Sequence, residues 1–421
     1  MVKGLRRARS ITLRFEPVPV LDLTAMMRGS IAVASEERLV AISLLTGERH
    51  ALTDDELRVL RALPSTYWVL MEEALRPLGI PAAAVVPLLD AGLVLADPAV
   101  GAHADLRARE ERCAAIDWDD HAAQYHVMSR VKDQDVGQGV PHAAPAPDGA
   151  PASSGERIQE YLELATAISQ NLAAGSAYFG PPPPHFHSVP DAVAVRDLPE
   201  PRAQGRLFDL LTQRRTIRVF DHDDPLTAEE LSTVLYYTYG AHGWAELVPG
   251  LVGLRKTSPS GGSLHPIEAY PLILNVRGVE TGLYHYSVER HALELLKPME
   301  RKDAEVLAER MTLGQSYFRS AHVLIVLTAR WYRNFWKYRK AQKSYRVIHM
   351  DAGHLSQTLY LVCQELGLGA FFTGAVNDIN IEELLGLDPL HEGVLGISGC
   401  GRPLNGGAPL TLLTARYTPP R

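Results

Sequence analysis

The sequence predicts an α+β protein with a smaller N-terminal part. In its C-terminal half, stretches with the two-residue period of strands alternate with stretches of helical period, which suits helices around one sheet. Two breaks in composition, "VGQGVPHAAPAPDGAPASSGE" from Val136 and "FGPPPPHFHSVPD" from Phe179, are rich in Pro and Gly and unsuited to regular structure. At 421 residues, 46% apolar and 22% charged, the chain has the size and composition of two or three globular domains. We delimit them as residues 1–105, a linker and helical connector over 106–200, and a main domain over 201–421.

The N-terminus "MVKGLRRARSITLRF" is basic but lacks the apolar run of a signal peptide, and no stretch reaches the roughly 18 apolar residues of a membrane span. The expectation is a soluble cytoplasmic protein without a membrane partner. A net charge of −7 argues against a nucleic-acid partner. Cys113, Cys363 and Cys400 are far apart and form no CxxC pair, so they read as packing residues in a reducing compartment. "LVAISLLTGERHALTDDELRVLRAL" reads as two short strands and a helix capped by Thr53, with Asp55 and Glu56 in its first turn. "PAAAVVPLLDAGLVLAD" reads as an apolar helix ending near Gly92 and a strand. This order, over roughly residues 28–98, resembles the small winged-helix fold of PqqD-like peptide-recognition elements. The competing reading is a winged-helix domain used for packing or dimerisation.

From about Arg206 onward, helices such as "TAEELSTVLYYTYG" and "DAGHLSQTLYLVCQELGLG" mix with strands such as "EAYPLILNV" and "AHVLIVLTA", without an internal repeat. Four pieces of this half carry chemistry. In "RRTIRVF", Arg214, Thr216 and Arg218 alternate after a helix-like run, which sets two guanidinium groups and a hydroxyl on one side of an extended segment. That makes a phosphate cradle, because Arg binds phosphate oxygens bidentately and keeps its charge. In "SPSGGSLHP", two glycines among serines let backbone approach a flat ligand and offer N–H and hydroxyl donors. "GLGAFFTGAVND" leaves a helix instead of a strand, which excludes a Rossmann fingerprint, and the absence of GK[ST] excludes a Walker loop. "GISGCGRP" is a glycine-rich strand exit with Arg402 available for a second anionic contact. Each piece alone also fits a surface turn.

Taken in order, the set "RRTIRVF … SPSGGSLHPIEAY … DAGHLSQTLYLVCQELGLGAFFTGAVND … VLGISGCGRP" resembles the flavin-dependent nitroreductase superfamily, in particular its SagB-type, McbC-like dehydrogenases. "TGLYHYSVERHALELL" and the adjacent Lys337 and Tyr338 add to the likeness, which covers about 200 residues. The resemblance implies a nitroreductase-like fold: a mixed central sheet flanked by helices in an interlocked homodimer, with FMN at the two-fold interface. It implies that Arg214, Arg215, Thr216 and Arg218 hold the FMN phosphate and ribityl chain. Pro259, Ser260, Gly261, Gly262 and Ser263 would run along the flavin, with Thr373, Gly374 and Ala375 near its N5 and Arg402 as a second phosphate ligand. It further implies oxidation of azoline rings to azoles in a precursor peptide, oxygen as terminal acceptor, and a cyclodehydratase partner. Two rivals stay open: an FMN-dependent NAD(P)H-using reductase of dehydroamino acids, nitro groups or quinones, and a leader-binding scaffold without catalysis.

The family assigns proton removal to the Lys-Tyr pair. Free Tyr and Lys both titrate near 10, but a neighbouring cation lowers a tyrosine and desolvation lowers a lysine. Tyr338 is therefore the expected base and Lys337 its tuning neighbour. Adjacent helical side chains diverge by about 100°, so both reach one substrate only at a helix end or in an irregular segment. The plainer reading of "NFWKYRKAQKSYR" is an amphipathic helix with Trp331, Phe335 and Tyr338 in the core and a solvated cationic face; a third is a grip on an acidic peptide. His185 and His187 lack a third ligand, so no metal is expected. His354 reads as a buried histidine at the dimer interface, and His265 as a candidate for the flavin edge or substrate.

Overall fold

The structure, a computed structural model, describes residues 3–21, 33–135, 192–202, 204–248 and 251–404, with isolated positions at 159, 163, 166, 170 and 186. The two Pro-rich stretches fall mostly outside the described residues, as do His185 and His187. The chain forms two compact units. One holds Met1–Arg130 with Trp331–Arg346 and Asp388–Glu392; the other holds Val131–Arg330, Val347–Leu387 and Gly393–Arg421. This corrects the expected boundaries: residues 106–130 are helical parts of the first unit, and the cationic aromatic stretch joins it from the middle of the expected main domain.

In the first unit, β1 (Gly4–Arg7) pairs antiparallel with β5 (Val69–Leu70) and β6 (Val94–Asp97), while β2 (Ile11–Leu21), β3 (Val33–Ser43) and β4 (Arg49–Ala51) form a second antiparallel sheet. Helix α1 (Asp54–Ala62) opens on a capping box. Thr53 Oγ1 accepts from the Glu56 amide, and the Glu56 carboxylate accepts from the Thr53 amide at 2.8 Å, which satisfies two helix donors at once. Short helices α2 (Met71–Leu75) and α3 (Val86–Asp90) follow, and Gly92, at φ 68°, turns the chain into β6. Leu5, Val59, Leu60, Leu88, Leu93 and Val94 pack into one buried cluster. Two further helices follow: α4 (Ala102–Ala115), whose Glu110 forms a buried ion pair with Arg6, and α5 (Asp120–Ser129), whose Asp120 accepts from Ser10 Oγ at 2.7 Å.

The second unit runs through α6 (Arg206–Gln213), β7 (Leu226–Thr227), α7 (Ala228–Tyr239), β8 (Gly243–Val248), β9 (Leu251–Arg255), β10 (Ile267–Ile273), β11 (Val276–Arg277), β12 (Gly282–Ser287), β13 (Ala292–Pro298), α8 (Arg301–Met311) and β14 (Val323–Arg330). After α9 (Trp331–Tyr338), which belongs to the first unit, come α10 (Lys343–Glu365), β15 (Gly369–Thr373), α11 (Asp378–Leu385) and β16 (Glu392–Gly401). The main sheet has the order β13-β12-β10-β14-β16-β15. Strands β10 and β14 pair antiparallel from Ile267↔Ala329 to Ile273↔Val323, and a parallel bridge from Thr216 to Ala370 on β15 makes the sheet mixed at that edge. Residues 323–329 are buried without alternation because both faces of β14 are covered. Phe220, Leu272, Phe318, Leu324, Phe371 and Ile397 form the core beside it. Among the described residues, no helix is long and apolar enough to cross a membrane. Cys113, Cys363 and Cys400 are free and buried.

His322, at the foot of β14, gives the fold a pH dependence. It is fully buried, its Nε2 lies 3.0 Å from the Asp224 carbonyl, and burial pushes its imidazole down to about 4. The unfolded chain takes up a proton near 6.5, so the contribution of neutral His322 is complete above that pH and is lost as the pH falls toward 4. Urea titrations between pH 7 and 4 are expected to show a loss of about 1.4 kcal/mol per pH unit in that window. A His322→Gln protein is expected to lack this component.

Candidate active site

Three of the sequence motifs meet around one helix, α10. Arg214 leaves α6, and its guanidinium carbon lies 5.1 Å from the centre of the Tyr360 ring, within cation–π range. The Tyr360 hydroxyl is 3.1 Å from Thr216 Oγ1 and accepts from the Phe372 amide at 3.1 Å. The Ile217 amide donates to the Ala370 carbonyl at 2.9 Å. Tyr360 thus fastens the arginine segment to β15, which leads into Thr373, Gly374 and Ala375. No carboxylate among the described residues pairs with Arg214, Arg215 or Arg218, where Arg215 is exposed and the other two half-buried. Three cations on one short segment without a carboxylate partner among the described residues have the charge pattern that would suit a multiply charged anion such as a phosphate.

The serine-glycine loop departs from its expected use. Asp351 of α10, only 3% exposed, accepts from Ser260 Oγ at 2.5 Å and from the Gly261 amide at 3.1 Å. Ser260 Oγ in turn accepts from the His265 amide, and Ser258 Oγ lies 2.6 Å from Thr358 Oγ1. The donors of Ser260 and Gly261 are therefore spent on the helix, which leaves Pro259, Gly262 and the Ser263 segment as the loop's outer edge; Pro259 and Gly262 are exposed. Burial pushes the Asp351 carboxyl up, against the opposing hydrogen bonds of Ser260 and Gly261. Gly261 is required by space, since a Cβ there would stand 2.2 Å from Val347 Cγ1. Gly261→Ala is expected to cost about 1–3 kcal/mol by overpacking and to lower the urea midpoint accordingly. The loop's other end is fixed by Lys256 Nζ and Thr257 Oγ1, which donate to the Tyr239 and Tyr237 carbonyls at the C-terminus of α7. Burial pushes the Lys256 ammonium down to about 8.

Beyond β15, the Ala375 amide donates to Thr373 Oγ1 at 3.1 Å, so Gly374 is the exposed backbone of that segment; a Cβ there would meet nothing within 4 Å. Arg402 differs from its expected role. Its Nη2 lies 3.0 Å from both Glu230 oxygens and its Nε 3.0 Å from Asp224, so two carboxylates neutralise it. Burial raises the Glu230 carboxyl, but the Thr227 amide and Arg402 outweigh this and hold it below the usual range. His354 is exposed in the single chain, with Nδ1 3.2 Å from the Pro259 carbonyl, so it braces the loop. His265 is half-buried, and its Nε2 lies 3.1 Å from the Leu254 carbonyl. Among the described residues, no His/Cys/Asp/Glu group could hold a metal. Asp351 and Tyr360 were missed in the sequence. For Asp351 the available signal was that it is the one acid of the helix before Glu365; Tyr360, with Ser356, Gln357 and Gln364 one turn away, carried none.

Lys337 and Tyr338 lie in the first unit, as the last two residues of α9, where Arg339 at φ 49° ends the helix. This is the helix end that a shared role for the pair requires. Lys337 is exposed, and its Nζ lies 5.6 Å from the centre of the half-buried Tyr338 ring. Trp331 and Phe335, of the same stripe as Tyr338, are buried against Trp118, whose ring lies 5.3 and 4.8 Å from theirs. Trp331 Nε1 donates to the Pro389 carbonyl, and Trp118 Nε1 to the Leu390 carbonyl, both at 2.8 Å. Two members of the expected core stripe are thus buried while Tyr338 stays accessible.

The Nitroreductase family profile matches residues 211–402. MJ1384 of Methanocaldococcus jannaschii, a protein named as a nitroreductase, is 34% identical over 180 residues, which are 43% of this chain and 84% of MJ1384. The trifolitoxin-processing protein TfxB of Rhizobium leguminosarum bv. trifolii is 31% identical over 169 residues, 40% of this chain and 42% of TfxB. Among solved structures, the E. coli microcin synthetase McbBCD complex with truncated pro-MccB17 bound aligns with a TM-score of 0.45 and 18% identity, over 70% of this chain and 97% of the matching one.

Proposed function

The chain belongs to the nitroreductase family, and from that premise we propose that it oxidises azoline rings in a ribosomally made precursor peptide to azoles. The family's activity is FMN-dependent oxidoreduction, and its cofactor is FMN. The observation that carries the finer reading is the Lys337–Tyr338 pair, placed at the end of an anchored helix with Lys337 Nζ against the Tyr338 ring. Likeness to a toxin-processing protein supports a peptide as the substrate.

Conversion of an azoline to an azole removes two electrons and two protons from adjacent ring atoms. When bound, FMN supplies the two-electron acceptor chemistry. Arg214, Arg215 and Arg218, with Thr216, would hold its phosphate and ribityl chain, while the Asp351-braced loop and Gly374 would border its ring. Tyr338 Oη, deprotonated for this step, would take the proton from the ring carbon, with the Lys337 ammonium beside its ring. Asp351 keeps Ser260 and Gly261 from shifting, so that the loop presents a fixed edge. Oxygen as terminal acceptor, a homodimer, a cyclodehydratase partner and a peptide-recognising role for the N-terminal unit, by strand addition, complete this proposal.

The test is purified, flavin-loaded protein given an azoline peptide, with mass loss of two hydrogens as the readout and NAD(P)H consumption measured in parallel. Azole formation without a nicotinamide donor supports the proposal. NAD(P)H-driven reduction of nitro compounds or quinones with no azole formed would replace it with the reductase reading.

A further inference from the structure

We infer that the exposed face of α9 and the start of α10 form a docking surface for an acidic segment of the precursor peptide. This rests on the peptide-maturation reading above and adds to it the chemistry by which the substrate is held.

Residues 331–346 carry Arg333, Lys337, Arg339, Lys340, Lys343 and Arg346 and no Asp or Glu, in a chain whose net charge is −7. In the fold four of these cations have no carboxylate partner among the described residues. Arg339 approaches Asp117 at 3.7 Å, but no carboxylate among the described residues pairs with Lys337, Lys340, Lys343 or Arg346, and all four are exposed. Like charges on one short segment repel one another, and Asp117 is the carboxylate among the described residues that an ion pair brings to them, so a partner that carries negative charge relieves the repulsion. Beside them, Tyr332 and Trp336 are 45% and 43% exposed, one turn apart on α9. Exposed aromatics next to cations are what a recognition surface needs: rings supply contact area, and cations supply register and rate of encounter. The neighbouring face of the helix is fixed by Trp331 and Phe335 on Trp118, so the surface is held in place before it meets a partner.

The sign of the whole chain selects among anionic partners. A long polyanion or an anionic membrane extends well past the roughly 8 Å over which physiological salt leaves charges visible, and so meets the repulsion of the negatively charged remainder. A short acidic peptide segment meets only the local patch. Lys337 lies on both this surface and the proposed catalytic pair, so an acid-rich segment gripped by Lys340, Lys343 and Arg346 would present flanking residues to Tyr338.

The experiment measures binding directly, by fluorescence anisotropy on full-length, flavin-loaded protein. Its probe is a labelled synthetic peptide rich in Glu that carries one azoline ring, compared with a version in which every Glu is Gln. The acidic peptide is expected to bind at least about tenfold tighter, with affinity falling as salt rises. Lys340→Glu with Lys343→Glu is expected to abolish this preference while flavin content and turnover of a short uncharged azoline stay unchanged; the double Gln variant, which tests for misfolding, should fall between. Equal affinity for the Glu and Gln peptides, no effect of charge reversal, or tighter binding of single-stranded DNA or phosphatidylserine vesicles would each overturn the inference. If no azoline is oxidised but the acidic peptide still binds through these lysines, the reaction assigned above fails and the docking surface stands.

Discussion

A Tyr338→Phe protein is expected to remain folded and yellow and to oxidise azoline peptides about 10²–10⁴-fold more slowly, the range associated with a positioned general base. The substitution is narrow by construction. Phe keeps the half-buried ring and the face over which Lys337 Nζ lies at 5.6 Å, and it removes only the hydroxyl. The buried anchors of α9, Trp331 and Phe335, are untouched. The loss should therefore fall on kcat with little change in KM, because the hydroxyl is asked to act on the departing proton and not to hold the substrate. Lys337→Arg separates the two members of the pair. A guanidinium preserves the positive charge beside the ring, so activity should be largely kept if Lys337 acts by charge, and lost if its amine is itself the base. Full oxidation by the Tyr338→Phe protein would remove Tyr338 from the chemistry.

What could be read from the sequence was local, and what could not was set by long-range packing. The capping box at Thr53, the turn at Gly92, the strands at "EAYPLILNV" and "AHVLIVLTA" and the helix after Thr227 are each dictated by residues within one turn or one alternation, and each forms where expected. The membership of residues 331–346 in the N-terminal unit depends on Trp118, His126 and the carbonyls of Pro389 and Leu390, which lie more than two hundred residues or several elements away. No local period encodes that choice. The same holds in the site. Thr216 and Ser260 were recognisable as hydroxyls near a ligand loop, but their partners Tyr360 and Asp351 sit on a helix whose pattern reads simply as buried. Arg402 was visible as an arginine after a glycine-rich strand, whereas Glu230 and Asp224, which consume its charge, come from the far side of the unit's sequence.

That contrast between arginines yields the second large effect. Replacing both Arg214 and Arg218 by Ala is expected to give a folded but nearly colourless protein, with FMN affinity lower by about 10²–10⁴-fold. Hydrogen bonds to a charged group contribute about 1.5–3 kcal/mol each, and one tenfold change is about 1.4 kcal/mol. Neither guanidinium pairs with a carboxylate among the described residues, so their removal should leave the melting temperature of the flavin-free protein close to unchanged, apart from the packing of Arg214 on Tyr360. Arg402→Ala should do the reverse. It strands Glu230 and Asp224 without their counter-ion, so the melting temperature falls while the folded fraction still takes up flavin. The two measurements, absorbance near the flavin band after dialysis and thermal unfolding without flavin, separate a ligand-binding charge from a structural one. If Arg402→Ala alone bleaches the protein and the Arg214 and Arg218 pair proves dispensable, the phosphate lies at the end of β16, and the assignment of the extended segment after α6 fails.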